Sequence, residues 1–262
     1  MTDELLELAI VAARQAGDVI LSHYRRVNEI KLKGDGSPLT LADKAAHTVI
    51  VAILGDSGIP VVSEEGDELF MDATRYWLVD PLDGTKDFIA ANDEFTVNVA
   101  LIDKDRPLLG VVLAPALGEM YAGQSGIGSW CEKDGIRIDC QPAGKSARCR
   151  MAVSRFHDHP DVDIFAVANN IGNRVAIGSA LKYGRLAIAE VDAFPRLVGS
   201  SEWDTAAGQV VLEGAGGHVL DWHTGETLRY GKPRRRNPRL LSIRAPYNFT
   251  DFQLQYYETG IQ

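Results

Sequence analysis

Two aspartates three residues apart, in Tyr76-Trp-Leu-Val-Asp80-Pro81-Leu82-Asp83-Gly84-Thr85, are the strongest chemical signal in this sequence. An apolar run delivers Asp80 to the end of a strand. Pro81, which has no amide donor, ends strand pairing and holds Asp80 extended. Asp83-Gly84-Thr85 then reads as the start of a turn or helix, with Gly84 letting backbone approach a ligand closely. Backbone amides at such a terminus offer an anion site. Two carboxylates beside an anion site make electrostatic sense with a cation between them. Oxygen ligands of this kind select Mg²⁺ or a similar hard ion, which keeps waters and shares its ligands with a substrate phosphate. Either aspartate alone is explained as an Asx-turn acceptor or a helix N-cap. Both together, with Pro, Gly and Thr in these places, favour a metal-dependent phosphate site.

Three further groups of acids stand at ends of expected elements. Glu64-Glu65 follows a short strand and precedes Gly66, which alone describes a solvated turn. Asp204, in Ser201-Glu-Trp203-Asp204-Thr-Ala-Ala207-Gly208, stands at a helix N-terminus, where an ordinary N-cap explains it. Thr40 and Asp43 fall in the first turn of another helix, and capping accounts for them too. Phosphatases of the haloacid-dehalogenase type use an Asp nucleophile with a second Asp two residues on. Here that position is Leu82 and the spacing is three, so that chemistry is rejected.

The elements that must position these residues are legible from periodicity. Leu5, Leu8, Ala9, Ala12, Ala16, Val19 and Ile20 predict an amphipathic helix over the first 22 or so residues. Gly34 to Pro38 is turn chemistry, and a second helix is expected from Thr40 to Leu54. Strands are expected at 59–63, 76–79, 95–102, 110–114 and 120–122, with turns at Gly126, Gly128 and Asp134-Gly135. The polar stretch Gln141 to Arg150 marks a boundary near 145, dividing residues 1–145, with most of the acids, from 146–262. Beyond it come strands at 151–154, 174–177 and 217–222, and helices at 180–190 and 205–213, the last closed by Gly214. Helices and strands mix throughout, so the fold class is layered α and β.

Composition narrows the function. The 262 residues are 45% hydrophobic and 24% charged, ordinary globular values. A net charge of -9 argues against nonspecific nucleic-acid binding, which needs a positive surface. It also means that bound phosphate must be neutralised locally, by metal ions or a few placed Lys and Arg. The chain opens on acidic residues where a signal peptide would be basic, and no apolar run approaches the ~20 residues of a membrane span. Cys131, Cys140 and Cys149 form no CxxC pair and read as reduced thiols of a cytoplasmic protein. Arg234-Arg-Arg236 reads as a solvated loop.

Taken together, Glu64-Glu65, Asp80-Pro-Leu-Asp83-Gly-Thr85 and Trp203-Asp204-x-Ala-Ala-Gly208 resemble the three signatures of the inositol monophosphatase superfamily of lithium-sensitive, metal-dependent phosphatases, in order and separation across nearly the whole chain. The resemblance implies an αβαβα sandwich. It implies that Glu64, Asp80, Asp83 and Asp204, with the Leu82 carbonyl, hold two or three Mg²⁺ ions, and that Asp43 and Thr85 activate the attacking water. The Gly84 and Thr85 amides would hold the phosphate, with Glu64, Leu82, Asp83 and Asp204 also touching substrate. Hydrolysis would proceed without a covalent enzyme intermediate. Gly178-Ser179-Ala-Leu-Lys182-Tyr183 and Ala193-Phe194-Pro195-Arg196 are similar to the 3'(2'),5'-bisphosphate nucleotidase branch. That implies a small phosphorylated nucleotide, 3'-phosphoadenosine 5'-phosphate, as substrate, with Ser179, Lys182 and Arg196 contacting it and His157 near its base. The alternative is an inositol or sugar phosphatase using the same metal site. A homodimer, and peripheral attachment at the inner face of the cell membrane, are family-level expectations.

Overall fold

The computed structural model describes residues 2–24, 30–32, 38–66, 73–156 and 159–254. Its elements, in chain order, begin with α1 (Thr2–His23), β1 (Ile30–Leu32), β2 (Pro38–Thr40), α2 (Leu41–Gly55), β3 (Val61–Ser63), β4 (Arg75–Asp83) and α3 (Thr85–Ala90). Then follow β5 (Thr96–Asp103), β6 (Arg106–Ala114), β7 (Glu119–Gln124), β8 (Gly128–Lys133), β9 (Ile136–Asp139), β10 (Arg150–Ser154), α4 (Pro160–Ala168) and β11 (Asn173–Ile177). The described chain closes with α5 (Leu181–Ala187), β12 (Ala193–Arg196), α6 (Ala206–Gly214), β13 (His218–Asp221) and β14 (Leu240–Ile243).

Strand pleating makes five layers from these pieces. Strands β3 to β9 form a seven-stranded sheet in sequence order, and the last five strands form a second sheet in the order β11-β10-β12-β14-β13. Along β4, Trp77 and Val79 pack with Ala9, Ala13 and Ile50 of α1 and α2, whereas Tyr76 and Leu78 join a cluster with Leu186 of α5 and Val211 of α6. The second sheet alternates likewise. Ala152, Phe194 and Leu240 meet α5 and α6, while Met151, Leu241 and Ile243 pack outward on Val162 and Phe165 of α4. The order α1/α2, sheet, α5/α6, sheet, α4 is the αβαβα sandwich that the sequence resemblance implied. A period of two with both faces apolar demands such cover, because each sheet face must be buried against something.

Several elements of the fold leave little periodic signal in the sequence. Neither β8 nor β9 was expected as a strand: Gly128–Lys133 buries only Ser129 and Trp130, and Ile136-Arg-Ile-Asp139 is exposed at every position. Helix α4 carries Asp161 and Asp163 among its apolar residues and hid in the polar flank of its N-cap, His159. The expected end of strand pairing at Pro81 is also corrected, because β4 pairs with β5 again at Asp83.

The small residues in Asp204-x-Ala-Ala-Gly208 serve packing. Helices α5 and α6 cross where Gly208 faces Tyr183, and a Cβ at Gly208 would lie 2.4 Å from the Tyr183 ring. Gly208→Ala is therefore expected to destabilise the fold by about 1–3 kcal/mol, the usual range for overpacking. The urea midpoint would fall at constant m-value; an undiminished midpoint would show that α6 moves away at no cost.

Candidate metal and phosphate site

The acids converge because several elements end at one place. Strands β3 and β4 are parallel, with Ser63 opposite Val79, and the Glu64 amide continues the ladder to the Val79 carbonyl at 3.1 Å. Glu64 thus emerges beside Asp80. From the helical layer between the sheets, α6 brings Asp204, the last residue of a 3-10 turn, Glu202–Asp204. Asp204 is not the N-cap; it is the third residue of a capping box, accepting from the amide of the N-cap Ser201 at 2.9 Å. It is also one of a trio, with Glu64 and Asp80, whose carboxylate oxygens lie within 4.8 Å of one another.

A β-bulge explains the three-residue spacing of Asp80 and Asp83. Asp80 opposes Asn98 and Asp83 opposes Thr96, so three steps along β4 match two along β5. Residues three apart on a regular strand would face opposite sides; one extra residue cancels this and turns both carboxylates to the same face. Asn98, which shares that face, donates to Asp83 Oδ2 at 3.5 Å. Inside the bulge the Leu82 amide donates to Asp80 Oδ1 at 3.1 Å in place of a strand partner. The Leu82 carbonyl receives the Thr85 hydroxyl at 3.5 Å.

Gly84 makes the next turn possible. Its φ of 87° lies in the left-handed region, and a Cβ there would sit 3.1 Å from Ser179 Cβ and 3.2 Å from Asp87 Oδ2. Opposite, Asp83 Oδ2 accepts the Ala180 amide at 2.6 Å, and Ser179 Oγ donates to the Glu94 carbonyl at 3.0 Å. These bonds join the first sheet to the turn that opens α5. The result is a cleft of roughly 580 Å³ lined by Glu64, Asp80, Leu82, Asp83, Gly84, Thr85, Ser179, Lys182, Arg196 and Asp204. Asp43 is buried in the first turn of α2, within electrostatic reach of Asp80. His157 lies outside the described residues.

The electrostatics are those of crowded, buried acids. Burial first, then the charges of Glu64, Asp83, Asp204 and Asp43, push Asp80 well above the ordinary carboxylate range. Burial, Asp83 and Glu64 push Asp204 up to about 7. Burial also raises Asp83, although Lys182 and the Ala180 amide pull it back. Lys182 is no surface residue. It is 4% exposed, donates to the Ile177 carbonyl at 2.8 Å, and lies 5.1 Å from the Phe194 ring centre. Burial brings it down to about 8 against the opposing pull of Asp83. Arg196 donates to Ser154 Oγ at 3.1 Å. The donor set facing the cleft is carboxylate and carbonyl oxygen, with no sulfur or imidazole among the described ligands. Mg²⁺ fits such donors, and its charge offsets the like-charge repulsion that raises Asp80.

Some cleft residues were not singled out from sequence. Asp87, two residues after Thr85, is buried and accepts from Asn92 Nδ2 at 2.6 Å. Its place within the Asp80-to-Thr85 neighbourhood was the available signal. Ser154, Phe156, Arg234 and Arg236 also line the cleft. The reading of Arg234–Arg236 as a solvated loop holds for Arg234 and Arg236, which are exposed and line the cleft, and fails for Arg235, which is buried.

A sandwich of five layers with a carboxylate cluster at a bulged strand end defines a class of metal-dependent phosphatases. The chain belongs to the inositol monophosphatase family, whose sequence model matches residues 1–244. It is 41% identical over 248 residues to the 3'(2'),5'-bisphosphate nucleotidase CysQ of Escherichia coli K12, covering 91% of this chain and 95% of that protein. Among solved structures it is similar to CysQ from Bacteroides thetaiotaomicron, with 35% identity, a TM-score of 0.79, and coverage of 91% and 96% of the two chains. An IMPase from Thermotoga maritima superposes with a TM-score of 0.76 at 26% identity, covering 91% of each chain. No helix among the described residues is long and apolar enough to cross a membrane.

Proposed function

We propose that this protein hydrolyses the 3'-phosphate of 3'-phosphoadenosine 5'-phosphate, giving AMP and phosphate, at a site holding two or three Mg²⁺ ions. The carrying observation is the Glu64, Asp80 and Asp204 carboxylate cluster sharing one cleft with the cationic Lys182 and Arg196. The likeness to the CysQ nucleotidases supports the choice of substrate.

Glu64, Asp80, Asp83 and Asp204, with the Leu82 carbonyl, would hold the metal ions. Bound Mg²⁺ supplies charge that offsets the phosphate oxygens and lowers the pKa of water. The Gly84 and Thr85 amides orient the phosphate. The Thr85 hydroxyl fixes the attacking water, and Asp43 takes its proton through that hydroxyl. Water attacks phosphorus, the P–O3' bond breaks, the ribose oxygen takes a proton from solvent water as it leaves, and Asp43 returns its proton to solvent. Lys182 opposes the burial that disfavours the charged form of Asp83, Arg196 meets the nucleotide's negative charge, and Ser179 contacts the nucleoside.

A substrate panel tests this reading. With Mg²⁺, kcat/KM for 3'-phosphoadenosine 5'-phosphate should exceed that for inositol 1-phosphate, fructose 1,6-bisphosphate and NADP⁺. Equal or better hydrolysis of inositol 1-phosphate would move the protein to the sugar-phosphatase reading.

A further inference from the structure

The basic run after Pro233 is built around a buried carboxylate. Glu202 is fully buried and accepts from the Gly231 amide at 3.1 Å, the Lys232 amide at 2.9 Å and Lys232 Nζ at 2.9 Å. Arg235 completes the set. Its Nη1 donates to Glu202 Oε2 at 3.1 Å and Tyr76 Oη at 2.7 Å, and its guanidinium lies 4.7 Å from the Tyr76 ring centre. The backbone is pinned too, with the Arg235 amide on the Lys232 carbonyl at 3.0 Å and the Glu202 amide on the Arg235 carbonyl at 2.8 Å. Burying an ion pair of this kind gains little stability by itself, so its effect is positional.

What it positions is Arg234 and Arg236. Both are exposed, and both line the cleft. Arg236 Nη1 donates to Ser201 Oγ at 3.2 Å, and the Ser201 amide donates to the Asp204 carboxylate at 2.9 Å. One residue therefore separates this guanidinium from the acid cluster. Among the described residues the Arg234 guanidinium makes no hydrogen bond or ion pair. Lys182, by contrast, is buried, bonded to the Ile177 carbonyl and engaged with Asp83. Arg234 and Arg236 thus present to the cleft guanidinium groups that no described carboxylate pairs. Guanidinium groups present paired donors that match phosphate oxygens.

We propose that Arg234 and Arg236 form a subsite for the substrate's second, uncleaved anionic group, so that this loop selects bisphosphates over monophosphates. The proposal rests on the phosphatase reading above and adds residues that choose the substrate. Its test compares kcat/KM for 3'-phosphoadenosine 5'-phosphate and adenosine 3'-monophosphate, with Mg²⁺, in the wild type and in Arg234→Ala, Arg236→Ala and the double variant. Losing charge-assisted bonds should lower the bisphosphate-to-monophosphate ratio about 10- to 100-fold in the double variant, mainly through KM. Arg236→Lys, which keeps the charge and loses the fork, should fall between. A ratio equal to the wild type's, or a matching loss on both substrates, would overturn the proposal. If the wild type prefers inositol 1-phosphate to the nucleotide, the substrate reading fails separately. The subsite is then judged by the fructose 1,6-bisphosphate to fructose 1-phosphate ratio in the same variants, and an unaltered ratio there overturns it as well.

Discussion

Asp80→Asn is expected to lower kcat about a thousandfold, equivalent to about 4 kcal/mol of lost charge stabilisation, without weakening the metal-free fold. The two halves of this prediction have one cause. Asp80 is buried, and four other carboxylates act on it. An acid whose folded pKa lies above its unfolded value costs stability at neutral pH, because the folded state disfavours its charge. Asparagine removes that charge while its oxygen can still accept the Leu82 amide, which now bonds Asp80 Oδ1 at 3.1 Å. The metal-free melting temperature should therefore hold or rise by a few degrees, on the order of 1 kcal/mol. The increase in melting temperature on adding Mg²⁺ should shrink in the variant. Thermal scans with and without Mg²⁺, run beside a phosphate-release assay, read both. A variant that melts lower without metal would show that Asp80 is a structural anchor, and full activity would remove it from the site.

The opposite behaviour is expected of Asp192→Asn, which should cost about 3–5 kcal/mol of stability. Asp192 is fully buried and gathers donors from three segments. They are the Arg150 amide at 2.7 Å and Nε at 3.0 Å, the Ser146 hydroxyl at 2.8 Å, and Arg244 Nε at 2.7 Å. Arg244 in turn holds the carbonyls of Ala143 and Gly144, both at 3.0 Å, so this one carboxylate ties the connector between the sheets to β10 and the end of β14. Without its charge two guanidiniums face each other uncompensated, one of them, Arg244, 3% exposed. Burial pushes Asp192 up, but hydrogen bonds from Arg150, Ser146 and Arg244 outweigh it and hold the carboxyl below the usual range. For such an acid the stabilisation is complete above the unfolded pKa of about 4 and is lost as pH falls through the lower folded value. Urea denaturation at pH 7 should show the full difference between wild type and variant, and the gap should shrink progressively as the pH is taken below the ordinary carboxylate range. A gap that persists undiminished in acid would mean the loss comes from packing and not from charge.

The candidate site residues were more legible in the sequence than the reason they meet. Glu64, Asp80 and Asp83 stood at or just past the end of an apolar run and Asp204 at the start of an expected helix, places where a side chain can leave the core, and their types pointed to hard-metal chemistry. The bulge was hidden, because period-two reasoning treats residues three apart as facing opposite ways and Pro81 as a stop. Only the opposition of Asp83 with Thr96 shows the reset. Lys182 and Arg234 were harder still. A lysine between Leu181 and Tyr183 gives no local sign that it is 4% exposed under Phe194. In a run of three arginines nothing local tells which one turns inward. That depends on Glu202, more than thirty residues earlier, whose carboxylate collects the loop. Strand β9 was missed for the converse reason, since an exposed edge strand has no buried face to leave a pattern.

The most direct test of the central claim is to follow 3'-phosphoadenosine 5'-phosphate by ³¹P NMR with the intact protein, with Mg²⁺ and then with excess chelator. The 3'-phosphate resonance should disappear, AMP and inorganic phosphate should grow in equal amounts, and both changes should stop when Mg²⁺ is removed. Accumulation of adenosine 3'-monophosphate, or hydrolysis that continues in chelator, would contradict the account.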